Sequence, residues 1–357
     1  MTDVHDYLQY LVDKQGSDLH LKAGGPAYVR VDGELSEVGD LPALTPEETG
    51  SFAEQLMAAG AERFAGSAEA DFAYSLAGVG RFRVAVFRQR GSVGVVVRRV
   101  LPGSQGFDEL GLPPAVRRLS EEHRGLVLVT GPTGSGKTTT TAAMLSHINA
   151  TRRCHVVTVE DPIEILHRDH LAIIDQREVG IDTETFASAL RSVSRQDPDV
   201  IFIGEMRDLE TVQAALQAAE TGHFVISTLH TSDATDTVNR IIDLYPPHQQ
   251  HQARLSLATA LKGVVSQRLL PRAGGGRIAV IEALVMTTRL HEHIVDPDQT
   301  DALGEAIAEG GYYGMQTFDQ HLLELYRRGE VTLRDALSGA TSPHDLRVAI
   351  RAAGIAS

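Results

Sequence analysis

The segment that most constrains the fold of this chain reads Gly131-Pro132-Thr133-Gly134-Ser135-Gly136-Lys137-Thr138. It matches the phosphate-loop pattern G-x-x-x-x-G-K-[ST] at every specified position. The apolar run 126–129 predicts a short buried strand before it, and residues 138–149 predict a helix after it. Because glycine has no Cβ, the backbone N–H groups of the loop can turn toward one phosphate, and the helix N-terminus adds its own. The segment therefore predicts a nucleoside triphosphate site.

The residue types of this phosphate loop predict how it would hold ATP and Mg²⁺. The Lys137 ammonium is expected to reach the β- and γ-phosphates, and the Thr138 hydroxyl is expected to ligate Mg²⁺. The residues predicted to contact the nucleotide are Gly131, Thr133, Gly134, Ser135, Gly136, Lys137, Thr138 and Thr139. Such a loop accounts for binding alone, so hydrolysis requires further groups.

The composition excludes several classes of protein. A length of 357 residues predicts two or three domains with ample core. The single cysteine, Cys154, excludes an internal disulfide and a zinc site built from several cysteines. No apolar run approaches the roughly 18 residues that span a bilayer, and no signal peptide is visible, which predicts a cytoplasmic protein without direct membrane insertion. The net charge of −14 argues against a general affinity for nucleic acid.

Residues 1–101 predict a small α+β domain with an antiparallel sheet. Apolar residues recur at helical spacing over 3–14 and predict a first helix. A second helix is predicted over 46–59, with Thr45 as N-cap and Glu48 completing a capping box. Apolar and polar residues alternate, as in half-buried strands, within 72–76, 82–86 and 93–97.

A linker is predicted over residues 102–114, which are rich in proline and glycine. Beyond it, short apolar segments alternate with helical patterns, which is typical of a parallel sheet wrapped by helices. The predicted strands are 126–129, 155–159, 200–203 and 224–228, and the predicted helices are 138–149, 184–194 and 209–220.

The chain from Pro246 onward predicts helices alone. Apolar residues at 255, 258, 261, 265 and 269 indicate one long helix, and Phe318, Leu322 and Leu325 indicate a second. A third is predicted over 343–353, with Ser342 as its N-cap.

Acidic residues follow two of the predicted strands. Glu205 follows the buried segment 200–203 after one glycine, at the carboxyl edge where parallel sheets bind ligands, and it is the first candidate to orient the attacking water. The alternative is a solvated glutamate that begins a helix. The cluster Glu160 to Glu164 follows a second strand, and we assign Glu160 as a magnesium ligand and Glu164 as a further catalytic carboxylate. Taken singly, these would be ordinary surface carboxylates.

Histidines and arginines supply further candidates. His223 and His230 bracket one predicted strand, although a lone histidine is more often structural, and His223 follows Gly222 where a helix would end. Arg81 and Arg83 lie two apart on a strand and share a face. Such arginines are either solvated surface or cations that reach a bound triphosphate.

Several of these segments, in this order along the chain, resemble the type IV pilus retraction ATPases, the twitching-motility members of the secretion ATPase superfamily. The matching segments are 17–21, 30–35, 81–84, 131–138, 158–164, 176–180, 199–208, 221–231 and 314–320. The resemblance implies an α/β chain with a PAS-like N-terminal domain over 1–101, a RecA-like ATPase core over 115–270 and a mostly helical region over 271–357. The ATPase would form a homo-hexameric ring, with ATP between subunits and domains.

The same resemblance implies roles for individual residues. Glu205 belongs to the Walker B region as the water activator, and Glu164 belongs to the Asp box. His223 and His230 belong to the nucleotide-sensing His box, which makes His230 a catalytic and His223 a nucleotide-binding candidate. Among the N-terminal arginines, Arg81 and Arg83 are the catalytic candidates and Arg99 is a nucleotide-binding one.

The function that the resemblance implies is ATP-driven pilus retraction. The implied partners are an inner-membrane platform protein and a second, paralogous pilus ATPase, with the ring at the inner face of the membrane. The alternatives are a pilus-extension or secretion ATPase and a nucleotide-binding regulator with low turnover. Extension ATPases typically carry a further N-terminal domain and a four-cysteine zinc site. This sequence starts almost at its segment 17–21 and has one cysteine, so we expect a retraction ATPase.

One segment departs from the retraction pattern. These ATPases usually carry a signature close to A-I-R-N-L-I-R-E before the segment that matches 314–320. Here residues 289–298 read R-L-H-E-H-I-V-D-P-D, with histidine and acid in place of the basic residues. Pro297 is expected to end the helix, so we expect altered coupling to the pilus with hydrolysis intact.

Overall fold

The structure is a computed structural model that describes residues 3–31, 33–39, 41–57, 68–100 and 103–354. The chain folds into two compact units. The first comprises Met1–Pro102 together with Glu164–Leu166, and the second comprises Gly103–Ile163 with His167–Ser357. Residue 102 of the predicted linker lies outside the described residues, and residues 103–106 have no regular secondary structure.

The described residues of the first unit form an antiparallel sheet of six strands in the order β3-β2-β1-β6-β5-β4, with two helices. The predicted α+β domain with an antiparallel sheet is therefore confirmed. The elements are α1 (Val4–Asp13), β1 (Asp18–Lys22), β2 (Tyr28–Val31), β3 (Glu34–Glu37), α2 (Pro46–Met57), β4 (Glu69–Leu76), β5 (Gly80–Gln89) and β6 (Ser92–Val100).

Helix α2 begins with the predicted capping box. The Thr45 N–H donates to Oε2 of Glu48 at 2.7 Å, and the Glu48 N–H donates to Oγ1 of Thr45 at 3.2 Å. These reciprocal bonds satisfy N–H groups that the helix itself leaves unpaired. The end of the helix predicted at residue 59 lies outside the described residues.

The second unit contains a seven-stranded sheet in the order β13-β12-β7-β11-β10-β8-β9. All neighbours are parallel except the edge strand β13, which runs antiparallel to β12. The predicted parallel-dominated α/β fold is therefore confirmed. The elements from the start of this unit to its sixth helix are α3 (Phe107–Leu110), α4 (Pro114–Ser120), β7 (Gly125–Thr130), α5 (Lys137–Thr151), β8 (His155–Glu160), β9 (Ile173–Glu178), α6 (Phe186–Val193), β10 (Val200–Ile203), α7 (Leu209–Glu220), β11 (Phe224–Leu229) and α8 (Ala234–Asp243).

The remaining elements show where the helical prediction from Pro246 onward is wrong. They are α9 (Gln250–Ala260), β12 (Leu261–Pro271), β13 (Arg277–Val285), α10 (Thr288–Val295), α11 (Leu303–Glu309), α12 (Phe318–Arg327), α13 (Leu333–Gly339) and α14 (Pro343–Ala352), with 3-10 turns at Pro247–Gln249, Pro297–Ala302 and Gly310–Tyr313. The predicted helix through residues 255–269 ends at Ala260, and residues 261–271 form a strand between β7 and β13.

The helix prediction for residues 261–269 is wrong because both faces of strand β12 are buried. Most residues from Leu261 to Gln267 are buried. A strand buried on both faces shows no alternation, so its apolar spacing can resemble that of a helix. The sheet also continues past the predicted core boundary at residue 270, because β12 pairs with β13 along nearly its whole length.

Strand β7, which leads into the phosphate loop, is packed on both faces by apolar residues. Leu126 and Leu128 pack in one apolar cluster, and Val127 and Val129 pack in a second, so helices cover both faces of the strand. The carboxyl ends of β7, β11, β10 and β8 meet at one edge of the sheet, where ligands of such folds bind. In the described part of the chain, no helix is both long and apolar enough to span a bilayer.

Candidate nucleotide-binding site

The phosphate loop connects β7 to α5 as the sequence predicts. Gly131, Gly134 and Gly136 have φ values of +143°, +80° and +92°, which residues with a Cβ adopt only with strain. The Lys137 ammonium donates to the carbonyl oxygens of Gly131 at 2.7 Å and Pro132 at 3.0 Å, and the lysine is buried. The loop thus curls around a single cation at the carboxyl edge of the sheet.

Gln267 of β12 supports this loop, and the sequence analysis missed it. Its Nε2 donates to the Ser135 carbonyl at 2.6 Å, and its Oε1 accepts from Oγ1 of Thr140 at 2.8 Å. A Cβ on Gly136 would lie 2.6 Å from Nε2 of Gln267, so the close approach of β12 requires glycine there. The signal that could have found it is the polar pair Ser266-Gln267 inside an otherwise apolar run.

The loop residues fit a phosphate group. Oγ of Ser135 is buried and has no hydrogen-bond partner among the described residues. Buried polar groups are normally satisfied, so an orphaned hydroxyl in a loop that also carries a buried ammonium matches an anionic ligand that accepts from this loop. Thr138 and Thr139 follow in the first turn of α5, where N–H groups have no helical partner, and the Thr138 side chain is exposed.

Glu205 and His230 join Lys137 at the same edge. They follow β10 and β11, which are neighbouring parallel strands. Nε2 of His230 lies 3.3 Å from Oε1 of Glu205, while its Nδ1 lies 3.5 Å from Nζ of Lys137 and 3.4 Å from Oγ1 of Thr133. The imidazole therefore stands between the candidate water-activating carboxylate and the phosphate loop.

The electrostatics of Glu205 keep its carboxylate ionised. Its side chain is only 18% exposed, and Nη2 of Arg207 donates to its Oε2 at 2.8 Å. Partial burial raises the pKa, but the hydrogen bond from Arg207 and the nearby charges of His230 and Arg207 outweigh it and hold the pKa below its ordinary value. An ionised carboxylate can only accept hydrogen bonds, as a group that orients water must.

Glu160 lies at the end of β8, beside β10. It is buried, and its Oε1 accepts from Oγ1 of Thr158 at 2.6 Å and from Nε2 of Gln176 at 3.0 Å. Within the described residues, no group of three or more histidine, cysteine, aspartate or glutamate side chains is arranged to hold a metal ion. The magnesium roles predicted for Glu160 and Thr138 stay predictions.

Comparison with known proteins decides the family. Residues 77–336 match the family described as Type II/IV secretion system protein. The chain belongs to this family. It is 41% identical over 344 residues to the type IV pilus retractation ATPase PilT of Pseudomonas aeruginosa, covering 96% of this chain and 99% of PilT. It is 42% identical over 346 residues to the type IV pilus ATPase PilU of the same organism, covering 96% of this chain and 90% of PilU.

A solved structure shows the same fold. The crystal structure of the pilus retraction motor PilT with bound ADP matches with a TM-score of 0.87 and 44% identity, covering 98% of this chain and 100% of that one. The resemblance to pilus retraction ATPases drawn from the sequence is thereby confirmed, and so is the enzyme class, an ATPase.

His223, one of the predicted site residues, lies apart from the cluster formed by Lys137, Glu205 and His230. It precedes β11, whereas His230 follows that strand, so the six-residue strand separates them by roughly 20 Å. Its Nδ1 lies 3.0 Å from the Ala218 carbonyl at the end of α7, and Gly222 beside it has a φ of +110°. Within this unit the imidazole caps a helix, and its nucleotide contact stays a prediction.

The remaining predicted residues lie in the first unit. Nη2 of Arg83 forms an ion pair with Oε1 of Glu164 at 3.2 Å, and Arg81 donates to Oγ of Ser75 at 3.1 Å. Arg81 and Arg83 share one face of β5, and Arg99 lies on the neighbouring strand β6. The roles predicted for Glu164 and these arginines stay predictions.

Proposed function

We propose that this chain is the ATP-hydrolysing motor of type IV pilus retraction. The observation that carries the proposal is the cluster in which His230 contacts both Glu205 and the phosphate-loop residue Lys137. Near full-length similarity to ATPases named for pilus retraction supports the cellular role.

The phosphate loop binds the triphosphate in this proposal, as the ADP-bound relative supports. Lys137 exchanges its contacts with the loop carbonyls for the β- and γ-phosphate oxygens, and the Ser135 hydroxyl donates to the same group. Thr138 and Glu160 would hold a magnesium ion, which would neutralise charge on the transferring phosphoryl group. Gln267 keeps the loop carbonyls and N–H groups in place.

Glu205 orients the attacking water and accepts its proton as the bond to phosphorus forms. Arg207 fixes the rotamer of this carboxylate through Oε2, which leaves Oε1 directed toward His230. His230 lies between Oε1 and the loop, so its imidazole senses whether a γ-phosphate is present and aligns Glu205 accordingly.

Assembly completes the proposal. As the family resemblance implies, the chain forms a homo-hexamer in which Arg81, Arg83 and Arg99 contribute positive charge to the bound nucleotide. The ring acts at the inner face of the membrane on a platform protein of the pilus machine. We also propose the PAS-like and RecA-like identities of residues 1–101 and 115–270.

A deletion strain tests this function. The strain is complemented with the parent or with Glu205→Gln, and pilus retraction is followed by single-fibre force measurement alongside the ATPase rate of the purified proteins. We expect the parent to restore pilus retraction in the strain and to hydrolyse ATP when purified. We expect Glu205→Gln to do neither. Retraction driven by a variant without ATPase activity would overturn the motor assignment.

A second candidate is a type IV pilus ATPase that shares the work of retraction with a paralogous ATPase. The chain is as similar to PilU, at 42%, as to PilT, at 41%. In addition, α10 ends at Val295 before Pro297, which confirms the helix end predicted in the segment 289–298 that departs from the retraction signature. Complementation of strains lacking this ATPase alone or together with any paralogue separates the two roles, because only an independent motor restores retraction in the double deletion.

A further inference from the structure

Glu282 is a buried carboxylate for which the proposed mechanism has no role. It is 7% exposed and lies on β13, opposite Ser266 of β12, which in turn lies opposite Thr130 of β7. Paired residues of neighbouring strands project from the same face of a sheet, so these three polar side chains form a row across three strands. The row ends at Thr130, directly before the phosphate loop.

Hydrogen bonds hold both ends of this row. Oγ1 of Thr130 donates to Oγ of Ser266 at 3.1 Å, and Ser266 lies opposite Glu282, whose carboxyl pKa it lowers. Oε1 of Glu282 accepts from the N–H of Ala234 at 2.9 Å. A carboxylate on β13 therefore joins the sheet to the first residue of α8.

The segment 230–233 leads into α8 and begins with His230. Hydrogen bonds fix two of its other residues to that helix. Oγ1 of Thr231 lies 2.7 Å from Oγ1 of Thr237, and the Ser232 N–H donates to Oδ2 of Asp236 at 2.9 Å. Those bonds tie the 230–233 turn to its own helix, whereas the bond to Glu282 ties the turn to the sheet. Loss of that bond would let the turn and helix shift together relative to the phosphate loop.

We propose that Glu282 is a positioning residue of the ATPase reaction, whose carboxylate sets the distance of His230 from Glu205 and Lys137. This inference about Glu282 rests on the role in turnover that is proposed above for His230. His230 lies 3.3 Å from Glu205 and 3.5 Å from Lys137. Displacements of about 1 Å in an active site can cost roughly 100-fold in rate.

The surroundings of Glu282 make this function depend on pH. Burial raises the pKa of its carboxyl to about 7, the Ala234 N–H lowers it, Asp233 at the start of α8 raises it, and Arg268 and Ser266 on β12 lower it. The ionised carboxylate accepts a charge-assisted hydrogen bond from Ala234, whereas the protonated one accepts a weaker bond and gives up an acceptor site to its own proton. We therefore expect the positioning to weaken as the pH falls through about 7.

The test compares steady-state kinetics of the full chain and of Glu282→Gln at pH 6 and pH 8. The amide keeps the volume and an acceptor for the Ala234 N–H, but it cannot be ionised and therefore accepts a weaker hydrogen bond. We expect kcat at pH 8 to fall about tenfold with KM for ATP unchanged within about twofold, and the ratio of parental to variant kcat to approach one at pH 6. Glu305→Gln, an exposed glutamate of α11, is the matched control and leaves kcat unchanged.

A double-mutant cycle with His230→Ala decides whether Glu282 acts through the histidine. We expect Glu282→Gln to have no further effect on kcat in that background. Losses that multiply, or a parental kcat for Glu282→Gln at pH 8, would overturn the inference and leave the proposed function standing. A parental kcat for His230→Ala would instead remove the role of His230 and the inference with it.

Folding is checked by thermal unfolding of each variant. If Glu282→Gln does not fold, Glu282→Asp gives the same test, because it keeps the charge but shortens the side chain and so draws the carboxylate away from the Ala234 N–H. It should lower kcat in the parent and not in His230→Ala, and equal losses in both backgrounds would overturn the proposal.

Discussion

The imidazole of His230 lies 3.3 Å from the carboxylate of Glu205, through Nε2 and Oε1. The two residues come together because they follow β10 and β11, neighbouring parallel strands that end at the same edge of the sheet. Arg207 holds the other oxygen of the carboxylate. Each oxygen of the Glu205 carboxylate therefore has its own partner. A substitution of His230 or of Arg207 removes one of these contacts and leaves the other.

Lys137→Ala is expected to abolish productive nucleotide binding. The ammonium is the cation that the phosphate loop itself directs at the β- and γ-phosphates, and alanine removes it without altering the helix. Stabilisation of the protein by ATP in thermal unfolding should disappear, while Lys22→Ala, at an exposed position of β1, should retain it. Equal stabilisation of Lys137→Ala and the parent would contradict the role given to the loop.

Glu205→Gln should separate binding from turnover. The phosphate loop stays intact, so ATP affinity should remain close to that of the parent, whereas kcat should fall by about 10²–10⁴, the usual scale for a general base. Equilibrium titration and a phosphate-release assay measure the two quantities. Near-parental turnover would move the catalytic assignment to Glu164, whose Glu164→Gln variant would then be the slow one.

Gln267→Leu should weaken nucleotide binding through the loop. Leucine has a similar volume but neither donates to the Ser135 carbonyl nor accepts from Thr140, and buried groups left unpaired cost about 1–3 kcal/mol each. We expect a lower Tm and an ATP Kd raised roughly tenfold. Gln213→Leu, at an exposed position of α7, is the control. An unchanged Kd would mean that the loop keeps its shape without β12.

Arg81→Ala should lower turnover more than nucleotide affinity. If an arginine of the first unit supplies charge to the phosphoryl transition state, its loss costs roughly 10³ or more in kcat. Arg88→Ala, on the same strand, is the comparison, and Arg83→Ala tests the second candidate. The specific activity of the parent should also rise with protein concentration as rings form. Concentration-independent activity of a monomer would rule out completion of the site by assembly.

Glu282→Gln should change how stability depends on pH. A carboxyl whose pKa is raised from 4.5 to about 7 on folding binds its proton more tightly in the folded state. Its stabilising contribution is fully present below about pH 4.5 and is lost as the pH rises through about 7. Relative to the variant, the free energy of unfolding of the parent should fall by on the order of 2 kcal/mol from pH 5 to pH 8. Urea denaturation at both pH values measures it, and a constant difference would mean that the pKa is not raised.

The sequence by itself predicts the features whose causes are local. The phosphate loop needs its glycines and lysine in one continuous segment, and the Thr45–Glu48 capping box is made by residues three apart. The end of α10 before Pro297 follows from the missing N–H of proline. Glu205 could be placed at the carboxyl edge of the sheet because a short buried strand ends two residues before it.

Only the tertiary structure decided what depends on pairing between distant strands. The segment Leu261–Pro271 is a strand because β7 and β13 cover its edges, and the apolar pattern of a strand buried on both faces cannot be told from that of a helix. That pairing brings Gln267 to the phosphate loop and aligns Glu282 with Thr130. His223 and His230 look equivalent in sequence, yet the direction of β11 places one at each end of the strand. Such positions follow from which strands are neighbours, and strand neighbours are chosen by burial and hydrogen bonding across the whole sheet, which no single segment contains.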